Sequence, residues 1–452
     1  MQLSRRGILK TGAIVAAPAI VPASVFGQNA PSNRITIGAI GVGRISRGHD
    51  MHEIHKHADA QIVAVCDVDT IRLGAGKELV DARYTASTGK PYSGTRMFHD
   101  YRELLADTSI DAVLISTPDH HHSPQAVHAV RARKHVYLQK PAALTISEGR
   151  TMADAVKASG MLLQIGSQQR AQNPWPQFHR ACELVRNGRI GKLRQVEVGL
   201  PGDPSGPEAP PMPVPSNLNY DAWLGTTPEV PYTEIGVHPQ NSFEDRPGWL
   251  RIEQYGAGMI TGWGSHHIDT AHWGMDMEHS GPVEIWGKAE FPKSGLWNVH
   301  GAFETHARYA NGVTMKVSGA LPNGVKFIGD KGWIFVTRSG AVTASDPSAG
   351  AKPMEPLQAS DPKILTSVIG PNEVHLLEVP EQHRNWLDAI RTGVPLSAPA
   401  EIGHRACSTC LLHWTAMKTG RRLKWDPKAE RFLGDDEANA MLSRPQRAKY
   451  AI

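Results

Sequence analysis

Residues 34–46 read RITIGAIGVGRIS, and this stretch decides the fold of the N-terminal half. Its first part, residues 34–42, is an isoleucine-rich apolar run, the pattern of a strand buried on both faces. Two glycines follow, and then a segment with helical character. Gly41 permits a tight turn, and Gly43 lets the backbone come close to a ligand. Ser46 stands where a third glycine is commoner, and it is small enough for helix and strand to approach. Strand, glycine turn and helix in this order aim the helix amides at a pyrophosphate. The next apolar run, residues 61–66, ends at Asp67, 24 residues after Gly43. A carboxylate there accepts hydrogen bonds from the adenosine ribose hydroxyls and repels a 2′-phosphate. The expected cofactor is therefore NAD. NADP is less favoured, although Arg44 offers a positive charge for a 2′-phosphate.

Further short apolar runs at residues 111–117, 135–138 and 161–165 alternate with helical segments. That alternation predicts a parallel sheet covered on both faces, a dinucleotide-binding Rossmann domain over residues 31–165. Beyond residue 166 the grammar changes. Residues 201–217 hold seven prolines and read as a long loop. From residue 283 longer alternating strands appear, with hairpin signals at Asn311-Gly312 and at residues 329–332. They predict an antiparallel sheet in a second, substrate-binding α/β domain over residues 166–420. Residues 345–372 show no clear structure. Residues 383–391 and 404–419 read as helices, and residues 421–452 as a tail packed over the body. No internal repeat is evident.

The first thirty residues are read as a leader rather than as fold. SRRGILK, residues 4–10, is a twin-arginine pattern followed by an apolar run, residues 11–21, too short for a stable bilayer anchor. The expectation is export of the folded protein by the Tat route to the periplasm. The cofactor would be loaded in the cytoplasm and carried out bound. Three positive charges of the formal +4, Arg5, Arg6 and Lys10, lie in that leader. The remainder is nearly neutral, and no basic block interleaved with aromatics points to nucleic acid. Four cysteines, Cys66, Cys182, Cys407 and Cys410, are too few for a disulfide scaffold. The CxxC of residues 407–410 falls in an expected helix and reads as two small apolar side chains on one face.

The motifs between these landmarks form a set. STPDHHH, residues 116–122, is followed by HVYLQKP, residues 135–141. GSQQR, residues 166–170, GRIG, residues 188–191, YDAWLG, residues 220–225, and WLDAIRTG, residues 386–393, complete it. From about residue 34 to the end the chain resembles the Gfo/Idh/MocA oxidoreductases, whose hallmark is Glu-Lys-Pro and whose exported branch carries twin-arginine leaders. Gln139 stands in place of the glutamate. The resemblance implies a Rossmann domain plus an α/β C-terminal domain with a large open, mainly antiparallel sheet walling a substrate cleft. It makes Lys140 the catalytic lysine.

Lys140 precedes a proline at the carboxyl end of a parallel strand, the edge where such sheets hold ligands. Burial beside a positive nicotinamide ring lowers an ammonium pKa, so the amine can take a hydroxyl proton. In GWGSHHIDTAH, residues 262–272, the resemblance places the catalytic histidine at His266 and an aspartate at Gly262. That aspartate is missing, so either His266 works with Lys140 alone, or His267 or Asp269 substitutes. Gly41, Gly43, Arg44, Ile45, Asp67, Thr117, Pro118, His122, Gln139 and Lys140 are expected to contact the cofactor. Arg170, His238, Arg251, Trp263 and His267 are expected to face the substrate. The 22 histidines invite a metal, but no zinc-site spacing appears and none is expected. The expected partner is a small sugar or glycoside, with no membrane anchor and a homo-oligomeric state. Three functions remain open: hydride transfer on a sugar carbon, NAD-dependent glycoside cleavage through transient oxidation, and ligand binding without catalysis.

Overall fold

The computed structural model describes residues 33–338 and 355–452. The expected leader lies outside the described residues, as do residues 345–354 of the stretch read as unstructured.

Six strands build the first sheet: β1 Ile35–Ile40, β2 Ala60–Cys66, β3 Arg96–Phe98, β4 Ala112–Ile115, β5 His135–Leu138 and β6 Leu163–Ile165. Their order is β3-β2-β1-β4-β5-β6, and every neighbouring pair is parallel. The order reverses between β1 and β4, so the chain leaves the two strands in opposite directions and opens a crevice at their carboxyl ends. Five of these strands follow the apolar runs of the sequence. β3 does not: it is three residues long, lies at the sheet edge and buries little side chain, so no apolar pattern marks it.

The second sheet has nine strands: β7 Leu193–Gly199, β8 Glu284–Ala289, β9 Phe303–Arg308, β10 Thr314–Ser318, β11 Gly324–Gly329, β12 Trp333–Val336, β13 Leu357–Ala359, β14 Leu423–Asp426 and β15 Arg431–Phe432. The order is β13-β12-β11-β7-β10-β9-β8-β14-β15, antiparallel except where β7 meets β10. Both expected hairpins form. The turn between β9 and β10 uses Gly312 at φ +84°, open to glycine at no steric cost. The central strand β7 carries no hairpin signal, because both of its partners come from far downstream.

Two expectations are corrected here. Within residues 345–372, the described part holds β13 and a short helix, Pro362–Thr366, capped by Asp361. The region after residue 420 is more than a covering tail: β14 pairs with β8, and β15 extends that edge.

The two sheets share one continuous core. Helix Ala400–Thr419 is buried along most of its length, and Cys407 and Cys410 lie inside it as free thiols. Helix Gln382–Thr392 returns to the first domain, where Trp386 and Leu387 pack with Ile37, Ile62 and Tyr137. Among the described residues no helix is long and apolar enough to cross a membrane.

Candidate active site

The glycine turn after β1 is shaped for close approach. Gly41 has φ +78°, and a Cβ there would lie 2.7 Å from Thr117 Cγ2 and 3.0 Å from Thr117 N. Gly43 differs: nothing lies within 4 Å of a Cβ built on it, so its backbone faces open space. Asp67 braces the turn, its two oxygens accepting from Val42 N and Asp69 N at 2.9 Å each. The helix then opens with a wide π-type turn, Ser46–Asp50, which places Asp50 fully inside the protein.

Above this turn lies a cavity of about 310 Å³ lined by all ten residues expected to contact the cofactor. It runs from Asp67 and Tyr101 at one end to Lys140 and Gly262 at the other. The second domain supplies its cover. Arg72 Nη2 donates to Pro239 O at 2.7 Å and Ser242 O at 3.2 Å, and Phe243 lies against Arg47 and Arg72 at 4.2 and 5.0 Å. Lys449 and Tyr450, near the C-terminus, also line the cavity. A glycine facing open space, helix amides and a braced carboxylate fit a dinucleotide.

At the far end Lys140 Nζ donates to Gly262 O at 3.0 Å. Gly262 therefore offers a carbonyl where the family pattern has a carboxylate. Space is not the reason, since a Cβ at Gly262 would meet only Met259, at 3.5 Å. Asp119, the first residue of helix Asp119–Arg131 at the carboxyl edge of β4, is buried and lines the same cavity. Burial pushes Lys140 below its usual range, and Arg246, Arg338 and Arg44 push it further; Asp119 alone pulls it back. Burial likewise pushes Asp119 well above the usual carboxylate range, against the pull of Lys140. The amine and the carboxyl thus approach each other in acidity without being drawn into a contact ion pair. Sequence reasoning quoted Asp119 but gave it no role. The signal was its place directly after Thr-Pro at a strand's carboxyl end.

On the other side of the strand end, Gln139 Nε2 donates to Asp50 Oδ1 at 2.7 Å, and Ser116 Oγ donates to Oδ2 at 2.6 Å. His49 Nδ1 lies 2.9 Å from Oδ1 and His383 Nε2 3.4 Å from it. His383 Nδ1 in turn meets Glu381 at 2.7 Å, and its ring stacks on Tyr137. Against the downward pull of burial, Asp50 and Glu381 raise His383 to about 9. Against the upward push of burial, His383 and His49 hold Asp50 below the usual carboxylate range. His49, Asp50 and His383 bring three ligand-type atoms within 4.8 Å of one another. Hydrogen bonds and charge complementarity within the network account for that closeness.

The histidine run of residues 120–122 serves the domain junction. His120 and His121 both donate to Trp223 O, at 2.8 and 2.7 Å, and so dock helix Tyr220–Leu224. His122 sits between Thr117 O at 2.8 Å and Pro141 O at 2.6 Å, tying the Thr-Pro turn to the Lys-Pro turn.

Several expected substrate contacts lie elsewhere. Arg170 spends its guanidinium on Asp269, at 2.7 and 2.8 Å, and on Glu278 at 2.7 Å; it is a buried ion-pair residue. His238 lines the cavity and meets Asp69 at 2.9 Å. Arg251 lies over Trp297 at 4.5 Å and beside Asp203. His267 is held by Asn323 at 2.7 Å, and burial pushes it to about 3. Trp263 is buried beside His266, His267 and Arg338. His266 is buried behind the cavity wall with Nδ1 unpartnered, and burial, Arg338 and Lys140 hold it well below its usual range.

Fold and site together define a two-domain protein with a dinucleotide-type fold and a part-buried lysine, Lys140, lining the cavity at the carboxyl edge of the first sheet. Comparison with known families gives the assignment. The model described as oxidoreductase family, NAD-binding Rossmann fold, matches residues 35–167. That described as oxidoreductase family, C-terminal alpha/beta domain, matches residues 205–344 and 365–452. The chain belongs to the Gfo/Idh/MocA family, and its N-terminal domain is an NAD-binding domain. A Glycosyl hydrolase family 109 protein of Shewanella pealeana is 32% identical over 35% of this chain and 38% of its own length. Myo-inositol 2-dehydrogenase of Thermotoga maritima is 29% identical over 36% of this chain and 44% of its own. The chain thus spans less than half the length of these relatives. The WlbA dehydrogenase from Bordetella pertussis, solved with NADH and UDP-GlcNAcA, superposes with a TM-score of 0.59 at 18% identity, covering 87% of this chain and 99% of that one. This likeness is one of fold.

Proposed function

We propose that this protein is an NAD-dependent oxidoreductase that moves hydride to or from a carbon of a sugar or sugar derivative. The observation that carries this reading is Lys140, an ammonium with lowered pKa at the nicotinamide end of the cavity. NAD, when bound, supplies the hydride acceptor or donor. Lys140 takes the hydroxyl proton in the oxidative direction and returns it in the reductive one. Asp119 tunes that amine through space and shares the net charge of the pair, the part Gly262 leaves vacant. Gln139, held by Asp50, forms the floor beside it. The cover from residues 238–250 and from Lys449 and Tyr450 supports a cofactor held through many turnovers. That suits an exported enzyme, and the twin-arginine leader supports Tat export to the periplasm.

A second reading, glycoside cleavage by transient oxidation, is favoured by the similarity to a glycosyl hydrolase family 109 protein. One experiment separates them. Purified protein is denatured, the released nucleotide is identified by mass, and intact protein is screened with free sugars and with glycosides at the reduced-cofactor absorbance. A sustained redox change with free sugars supports the first reading. Release of free sugar from glycosides with no net redox change supports the second. Ligand binding that survives Lys140→Ala, with no turnover in either protein, leaves a binding protein.

A further inference from the structure

Lys449 and Tyr450 line the cavity together with Asp67, Tyr101 and Arg102. Tyr450 is 6% exposed, and the Arg102 guanidinium lies 5.6 Å from the centre of its ring. Arg102 belongs to helix Tyr101–Ala106, which follows β3. The tyrosine thus reaches the carboxyl edge of the first sheet, where such a fold holds its dinucleotide.

The groups that hold this segment lie outside the cavity. Arg447 Nη1, Lys449 Nζ and the Tyr450 hydroxyl all donate to the carboxylate of Asp221, at 2.5, 2.7 and 2.8 Å. Arg447 also donates to Asp221 O at 2.7 Å and to Gly225 O at 2.9 Å, and its backbone amide donates to Thr226 O at 3.0 Å. Neither Asp221 nor Arg447 lines the cavity. Asp221 sits on helix Tyr220–Leu224, the element docked by His120 and His121. Upstream, Gln446 Nε2 donates to Glu148 Oε1 at 2.8 Å, on helix Ile146–Ser159 of the first domain. Arg444 Nη1 donates to Glu253 O at 2.6 Å in the second. The segment therefore ties the two domains together while two of its side chains face the cavity.

We propose that residues 444–452 form a strap that retains NAD, with Tyr450 and the stem of Lys449 against the bound dinucleotide and Asp221 as the anchor that keeps them there. The inference rests on the NAD-binding reading of the cavity and deepens it, naming the element that sets how long the cofactor stays. A covered cofactor leaves only as fast as its cover opens. Asp221 and Lys449 are both exposed, so salt screens their attraction. One such pair is worth little, but three donors on one carboxylate act as a network.

The test is the rate at which NADH leaves the loaded full chain, followed by its fluorescence after mixing with excess NAD. Asp221→Ala and Arg447→Met each loosen the strap without altering the cavity lining, and each should speed release about tenfold. Tyr450→Ala, which removes the ring itself, should speed it at least as much. Wild-type release should quicken as KCl rises from about 0.05 M to about 1 M, and that dependence should be weaker in Asp221→Ala. Thermal unfolding of the nucleotide-free forms reports whether the variants fold, and the wild-type salt series needs no variant. Unchanged release in Asp221→Ala and Arg447→Met, or a wild-type rate that salt leaves unmoved, overturns the inference while NAD binding stands. A salt effect equal in wild type and Asp221→Ala belongs to the pyrophosphate and overturns it too. Faster release that merely follows a lowered unfolding temperature, with no such salt difference, assigns the segment a structural role and has the same consequence. A wild-type chain that takes up no NADH removes the cofactor reading, and this one with it.

Discussion

Gln139 and Lys140 are neighbours in sequence at the end of β5, yet they face buried charge clusters of opposite character. On the Gln139 side, Asp50 is closely surrounded by Ser116, Gln139, His49 and His383, and His383 is matched by Glu381. The acidities are driven apart: carboxylates down, imidazole up. Charges so matched stay put near neutral pH and hold the fold. On the Lys140 side the amine meets only a carbonyl, and Asp119 acts from a distance. Here the acidities are driven together, the amine down and the carboxyl up. A proton moves easily between groups of similar acidity, and a catalyst of proton transfer needs that condition. Both clusters are buried. Burial disfavours charge in each, and the supply of hydrogen-bonding partners decides whether it freezes or frees the proton.

The largest effect is expected at Lys140. Lys140→Ala should lower kcat by about 10³-fold or more, roughly 4 kcal/mol at about 1.4 kcal/mol per tenfold, with bound nucleotide retained. Single-turnover kinetics and nucleotide mass analysis read this directly. Asp50→Ala should instead cost stability, about 3–5 kcal/mol, because it leaves His383 charged and half-paired in the interior. Urea unfolding measures it; an unchanged midpoint would show that the network carries no weight.

Asp119→Asn is expected to cost about 10–100-fold in kcat/KM, at the lower end of general acid–base effects. It should also move the rising limb of the pH profile to lower pH, since Asp119 is the group that raises Lys140. Gly262→Asp, for which there is room, should move that limb to higher pH and partly rescue Asp119→Asn. Failure of the limb to move in either variant would separate Lys140 from the proton step.

The smallest effect concerns pH and stability. The folded-state value of His383 is raised to about 9 from about 6.5. Its contribution is therefore whole below about 6.5 and is lost as pH rises through about 9. Unfolding free energy should decline across that window in the wild type and decline less in His383→Gln.

The glycine turn, Asp67, the Thr-Pro and Lys-Pro strand ends and both hairpins could be read from residue order, because each is a local pattern of backbone freedom or apolar period. Lys140 was legible for the same reason: it sits at a strand's carboxyl edge beside a proline. Residue order could not show that Arg170 is consumed by a buried ion pair, or that Arg251 and His238 have acidic neighbours, because a polar side chain declares its chemistry but not its partner. Asp269, Asp203 and Asp69 claim them through contacts that span many residues. The central strand β7 escaped notice for a related reason, since its pairing lies with strands far along the chain.

Residue order alone determined that a dinucleotide fold with a lysine at a strand's carboxyl edge was present, since turns, strands and their ends depend on neighbours a few bonds away. Only the tertiary structure decided which buried charges would be neutralised and which left exposed to each other. That choice depends on how many donors and acceptors packing brings within about 3 Å of a group removed from water. Asp50 gathers several, Lys140 one, and Nη2 of Arg338 none.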